Sequence, residues 1–235
     1  MKAATGGNGR QWAVGIVALA VGTAWSPARL PAQVPTEPPP AAALRPLQFP
    51  PFQEATLANG LQVVVVENHE LPIVSISLAL PAGNRYEPAG RAGLADLVAE
   101  LLTKGTKTRT AEQIAATIEG VGSSLGASAD PDFLFVRSTV LTDHVGLAFD
   151  LIGDVMLNAT FPESELELAR TRMLSQLRLE RSAPEAVADR YFAARLYGDH
   201  PYGRRATEAS VRAVTATVVR GYAATRLRPR GALLV

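Results

Sequence analysis

From Ile73 to Leu80 the chain alternates well: Val74, Ile76, Leu78 and Leu80 fall on one side, Ser75, Ser77 and Ala79 on the other. Such a period of two marks a strand with one face buried. Upstream, Ala55-Thr56-Leu57 and the run Leu61 to Val66 flank Ala58-Asn59-Gly60, where Asn-Gly signals a hairpin turn. A sheet with one apolar face needs a covering layer, and the rest of the chain has to provide it.

The patterns that follow are mostly helical. After a loop marked by Gly83, Pro88 and Gly90, an apolar helix occupies Gly93 to Leu102 and is closed by Lys104-Gly105-Thr106. Thr110 is placed as the N-cap of a second helix whose stripe is Ile114, Ile118 and Val121. Ser123 to Ala129 and Phe133 to Leu141 read as paired strands about Asp130-Pro131-Asp132. Helices are expected over 142–157, 163–181, 184–196 and 210–225, with Phe161-Pro162 as punctuation and a last strand at 232–235. Strands first, then helices, then a returning strand give an α+β fold: a largely antiparallel sheet with helices packed on one face. The final strand coincides with the end of the sequence, which suggests a fragment.

Composition narrows the function classes. The 235 residues carry 23 basic and 22 acidic side chains, a net charge of +1, so nothing favours nucleic acid as a partner. Without cysteine, disulfides, thiolate metal sites and a cysteine nucleophile are excluded. Lys2 and Arg10 precede an uncharged, mostly apolar run from Trp12 to Ala24. That run is short for a span of roughly 20 residues and suits a signal peptide over 1–32, with cleavage near Ala28 or Ala32. Export to the periplasm or medium is expected, with an uncleaved membrane anchor as the alternative. Residues 33–53, rich in Pro and Ala, read as an extended linker, and 54–235 as the folded domain.

The chemistry-bearing positions lie on the first helix. Asp96 and Glu100 stand four apart, hence on one helical face, with Ala99 immediately before Glu100. In a motif of the form H-x-x-E-H, two His at this spacing grip zinc and the Glu is the base. Here Asp96 and Glu100 occupy the ligand positions and Ala99 the base position. The order of the hairpin Asn59-Gly60-Leu61, Gly83-Asn84-Arg85-Tyr86-Glu87, Gly93-Leu94-Ala95, Lys104-Gly105-Thr106, Phe161-Pro162 and His200-Pro201-Tyr202-Gly203 resembles the N-terminal domain of the pitrilysin/insulinase family, which includes mitochondrial processing peptidases.

The resemblance implies a further zinc ligand, a Glu, on the helix after Phe161-Pro162, where this chain has Gln176. All four positions therefore depart from the family pattern. Zinc has to lower the pKa of its water and a carboxylate has to take the proton, and Ala99 cannot. No catalytic residue, metal site or cofactor is expected on this chain. Asp96, Glu100 and Gln176 could hold a hard cation through oxygen, or the two acids could form a solvated face paired with basic neighbours. His69, His144 and His200 lie on separate segments without an i,i+4 partner and read as structural or surface residues. The family enclose peptides between paired halves or subunits, one bearing zinc. The implied function is a non-catalytic subunit paired with a zinc-bearing homologue, acting on unstructured peptide. Two other readings are a divergent metalloendopeptidase using Asp96, Glu100 and Gln176, and a stand-alone peptide-binding scaffold.

Overall fold

The structure is a computed structural model describing residues 50–235; the signal-like segment and most of the Pro-rich stretch lie outside the described residues. Among the described residues six strands form one sheet: β1 (Phe52–Thr56), β2 (Gln62–Val66), β3 (Ile73–Leu80), β4 (Ser124–Ala129), β5 (Leu134–Leu141) and β6 (Leu233–Leu234). Their spatial order is β1-β2-β6-β3-β5-β4, antiparallel throughout except for β2 beside β6. The α+β, largely antiparallel fold expected from the sequence is the one observed. In the long β3–β5 ladder Leu78 faces Val136 and Val74 faces Val140. Those residues line the covered face, while Ser75 and Thr139 join hydroxyls across the open face at 3.1 Å.

Among the described residues seven helices are interleaved with the strands: α1 (Leu94–Leu102), α2 (Ala111–Glu119), α3 (Val145–Asn158), α4 (Glu163–Glu180), α5 (Pro184–Tyr197), α6 (Glu208–Arg212) and α7 (Ala216–Arg226). Helix α1 is the centre of the packing. Leu94, Leu97, Val98, Leu101 and Leu102 are fully or almost fully buried, against β4, β5, α4 and α7. A helix apolar nearly all round belongs inside a core, and each such Leu contributes roughly 1.5–3 kcal/mol on burial.

Several boundaries differ from the sequence expectation, among them β1, which begins at Phe52 inside the stretch read as linker. Asn59-Gly60 lies in a five-residue connection between β1 and β2, one residue longer at each end than the expected Ala58-Asn59-Gly60, with Gly60 at φ 86° and the Asn59 side chain accepting from the Leu61 N–H. The helix expected from Thr142 begins with a single 3-10 turn, and α3 proper starts at Val145. The last helix, expected unbroken over 210–225, is two. Thr207 caps α6, and Thr215, with extended backbone, accepts from the Val218 N–H to cap α7. Buried Val211, Val214 and Val219 carry one apolar stripe across the break, so spacing alone conceals it. At Thr110 the expected cap is present as a full capping box with Gln113.

The Lys104-Gly105-Thr106 turn is locked by a polar knot. Thr106 and Thr108 hydroxyls, the Arg109 guanidinium and the Asn158 amide all donate to the buried Asp154 carboxylate, at 2.8–3.1 Å. Burial works to raise the Asp154 pKa, but these donors outweigh it and bring it down to about 2.

Candidate functional site

The start of α1 is built by a loop that the sequence pattern marks only as irregular. Gly83, Asn84 and Arg85 hang their backbone N–H groups on the carbonyls of Asp132, Asp130 and Pro131. A Cβ at Gly83 would lie 2.4 Å from the Asp130 carbonyl oxygen, so only glycine allows this approach. The loop then delivers Glu87 beneath the helix. Its Oε1 accepts from the backbone N–H groups of Gly93 at 3.0 Å and Ala95 at 2.8 Å. A remote carboxylate thus satisfies donors that a helix leaves open at its first turn. Gly93 itself has φ 96°, and a Cβ there would meet Met173, Ala206 and Val211 at 3.2–3.3 Å. Glycine at this point lets α4 and α6 close against the head of α1.

Asp96 continues the same network. Asn84 donates through Nδ2 to Asp96 Oδ2 at 2.9 Å and, more weakly, to Glu87 at 3.4 Å. Burial raises the pKa of Glu87 to about 7 against the pull of the Ala95 N–H, and the neighbouring Asp96 charge adds to the rise. Burial likewise raises Asp96, opposed by the Asn84 amide. The Tyr222 hydroxyl, donating to the Ala82 and Gly83 carbonyls at 3.0 Å each, closes the floor.

The other sequence-marked positions diverge from Asp96. Glu100 is ion-paired with Arg172 of α4. Ala99 is only 2% exposed and packs into the core. Gln176 lies exposed on α4 and donates to Glu180 at 3.4 Å. Asp96 and Gln176 share the wall of a cleft of about 930 Å³, together with Glu87, Arg181, Tyr202 and Arg204; Ala99 and Glu100 do not line it. The donors therefore do not fit zinc: the α1 positions offer no imidazole, and both acids are engaged by side chains of this chain. Among the described residues, no cluster of three or more His, Cys, Asp or Glu is placed to hold a metal.

The histidines stand apart. His69 is on the β2–β3 connection beside Glu67 at 3.6 Å, and His144 ends the turn before α3. His200 accepts from the Tyr202 N–H and stacks edge-on against its ring. Tyr202 in turn donates to Asp132, which also pairs with Arg85 at 2.7 Å. The His-Pro-Tyr-Gly turn is thereby tied to the loop that carries Asn84 and Glu87. Sequence reasoning placed no role on Asn84, Glu87 or Arg172. The signal for Glu87 is an acid followed by Pro88 just ahead of a helix that begins without Ser, Thr, Asp or Asn at its cap.

A sequence model of the family described as "Insulinase (Peptidase family M16)" matches residues 62–210. The chain belongs to peptidase family M16. An uncharacterized zinc protease of Mycobacterium leprae is 35% identical over 176 residues, which are 74% of this chain and 40% of that protein. A probable mitochondrial-processing peptidase subunit beta of Arabidopsis thaliana is 28% identical over 63% of this chain and 28% of its own length. Among solved structures, an M16 inactive domain from Pseudomonas fluorescens superimposes with a TM-score of 0.73 at 26% identity, over 78% of this chain and 45% of that one. The chain thus spans less than half the length of these M16 relatives.

Proposed function

We propose that this chain is a non-catalytic M16 domain that pairs with a zinc-bearing homologue and forms one wall of a peptide-holding chamber. The observation that carries the reading is the state of α1. The base position is a buried Ala99, Glu100 is held by Arg172, and Asp96 is held by Asn84. Hydrolysis of an amide by this family's chemistry needs a metal-activated water and a carboxylate base, and neither ligand set nor base is assembled here. Kinship with a domain described as inactive and with a protein described as a subunit supports the same reading. The proposal includes export, on the reading of residues 1–32 as a signal peptide, with the pair acting outside the cytoplasm.

The divergent-metallopeptidase reading would require Glu100 to leave Arg172 and Gln176 to leave Glu180, and would still lack a base. The cleft beside Asp96 favours peptide binding as the activity retained.

Two measurements test the proposal. After dialysis, elemental analysis of the purified chain should find no stoichiometric zinc. The chain alone should leave unstructured peptides uncut, and adding a homologue with an intact H-x-x-E-H should raise cleavage above that homologue's own rate. Tightly held zinc at about one ion per chain, lost on Asp96→Ala, would overturn the non-catalytic assignment. A partner rate unchanged by saturating amounts of this chain would overturn the pairing.

A further inference from the structure

The cleft beside Asp96 is walled by α1, α4, α5 and the turns at 84–87, 129–131 and 201–206. Its charged side chains divide into groups already held and groups left spare. Five arginines line it. Arg85 and Arg181 are neutralised by acids of this chain, Asp132 at 2.7 Å and Glu208 at 3.1 Å. Arg190, Arg204 and Arg205 enter no ion pair among the described residues. Each instead rests one N–H on a backbone carbonyl: Arg190 on Ala206, Arg204 on Glu87 at 3.5 Å and Arg205 on Tyr202 at 3.4 Å. A guanidinium carries five N–H donors, so each of the three is tethered in the cleft with most of its donors free.

The acids of the cleft are placed differently. Glu87 accepts from the Gly93 and Ala95 N–H groups, and Asp96 from the Asn84 amide. Asp130 accepts from the backbone N–H groups of Asp132 and Phe133 at 2.7 and 2.6 Å, and Glu180 from Gln176. Of the lining acids, Asp189 is left without such a donor among the described residues. The acids are thus largely occupied by this chain while three guanidinium groups are not. The carbonyls that tether Arg205 and Arg190, those of Tyr202 and Ala206, are four residues apart, at most about 14 Å even in a fully extended chain. Positive charge spread over that distance suits several carboxylates of one extended segment, where alternate side chains repeat about every 7 Å. A single small anion would reach only part of it.

We propose that the cleft selects acidic peptide: an extended segment with Glu or Asp at alternate positions, whose carboxylates pair with Arg190, Arg204 and Arg205. The proposal rests on the reading of the cleft as a peptide-holding wall and names the class of sequence held there. Charge-assisted N–H···O bonds supply the preference, and the planar fork of each guanidinium can meet a carboxylate through two parallel bonds. Glu87 and Asp96 on the α1 side repel further acids, which directs the acidic side chains toward the 201–206 turn.

The test is NMR titration of the chain at low salt with acetyl-Ala-Glu-Ala-Glu-Ala-amide and its Gln and Lys counterparts. The Glu peptide should bind about tenfold more tightly than the Gln peptide, and the Lys peptide most weakly. Arg190→Gln, Arg204→Gln and Arg205→Gln together should bring the Glu peptide to the level of the Gln peptide. Arg195→Gln, Arg220→Gln and Arg228→Gln together remove the same charge at exposed positions outside the cleft and should keep the preference. Should the cleft triple variant lose its circular dichroism, Arg204→Gln with Arg205→Gln, both at exposed positions, decides by a reduced preference. Equal affinity for the Glu and Gln peptides would overturn the acidic selection and leave the peptide-holding reading standing. A preference that survives the cleft substitutions, or that the outside substitutions abolish equally, would mean diffuse attraction and would also overturn it. Binding of none of the three peptides at millimolar concentration would remove the peptide-holding reading and this proposal with it.

Discussion

Glu87 is the residue on which the start of α1 depends, and its protonation couples the fold to pH. Its carboxyl titrates near 7 in the folded protein against an ordinary value of 4.5. The folded state therefore holds a proton that the unfolded chain has released between these values, and stability falls as pH rises through that window. The benefit is complete below about pH 4.5 and gone above about pH 7. The slope approaches about 1.4 kcal/mol per pH unit for one such group. Glu87→Gln keeps an oxygen to accept from Gly93 and Ala95 but has no proton to lose. Urea melts of this variant between pH 5 and 7.5 should show a flatter dependence than the parent. An unchanged slope would assign the pH response to other groups, Asp96 first. The sequence revealed Asp96, Ala99 and Glu100 because their spacing falls on a known motif. It did not reveal Glu87, whose partners are backbone N–H groups that carry no side-chain signature.

The elements themselves were largely legible, because each carried its own period and stop signal. Thr110 with Gln113 announced α2, alternation announced β3, and Phe161-Pro162 announced α4. Errors arose where something other than the apolar period decided the outcome. The break between α6 and α7 is set by Thr215 as a cap while the valines run straight across it, and the β1–β2 connection is one residue longer at each end than the turn signal marked. The Lys104-Gly105-Thr106 turn shows the same limit, since its anchor, Asp154, comes from α3. Asp154→Ala should cost about 3 kcal/mol, because it strips Arg109 and two threonine hydroxyls of one shared acceptor. Chemical denaturation would register this as a lower midpoint at unchanged m-value. Asp150→Ala should cost less than about 1 kcal/mol, since the Asp150–Arg109 pair is far more exposed than Asp154. Equal losses at the two aspartates would show that the knot gains nothing from burial.

At the scale of the whole molecule, the decisive relation is between α1 and α4, far apart in sequence and in contact in the fold. Glu100 meets Arg172, Gly93 admits Met173, and Asp96 and Gln176 face one cleft. Contact between α1 and α4 is thus retained while the residues at the ligand positions differ, which is what the proposed non-catalytic role requires. Asp96→His, Glu100→His and Gln176→Glu together would restore nitrogen and oxygen donors at the three family positions and release Arg172 from its pair. The triple variant should take up about one zinc per chain, read by elemental analysis after dialysis, and should still not cut peptide, because Ala99 supplies no base. Adding Ala99→Glu would introduce the base at a position only 2% exposed. Its volume and charge should cost about 2–3 kcal/mol in stability unless zinc is bound first. A triple variant that folds, by circular dichroism, yet takes up no zinc would mean that α4 presents a different residue to α1. The correspondence of Gln176 with the third ligand would then be wrong, even with the fold intact.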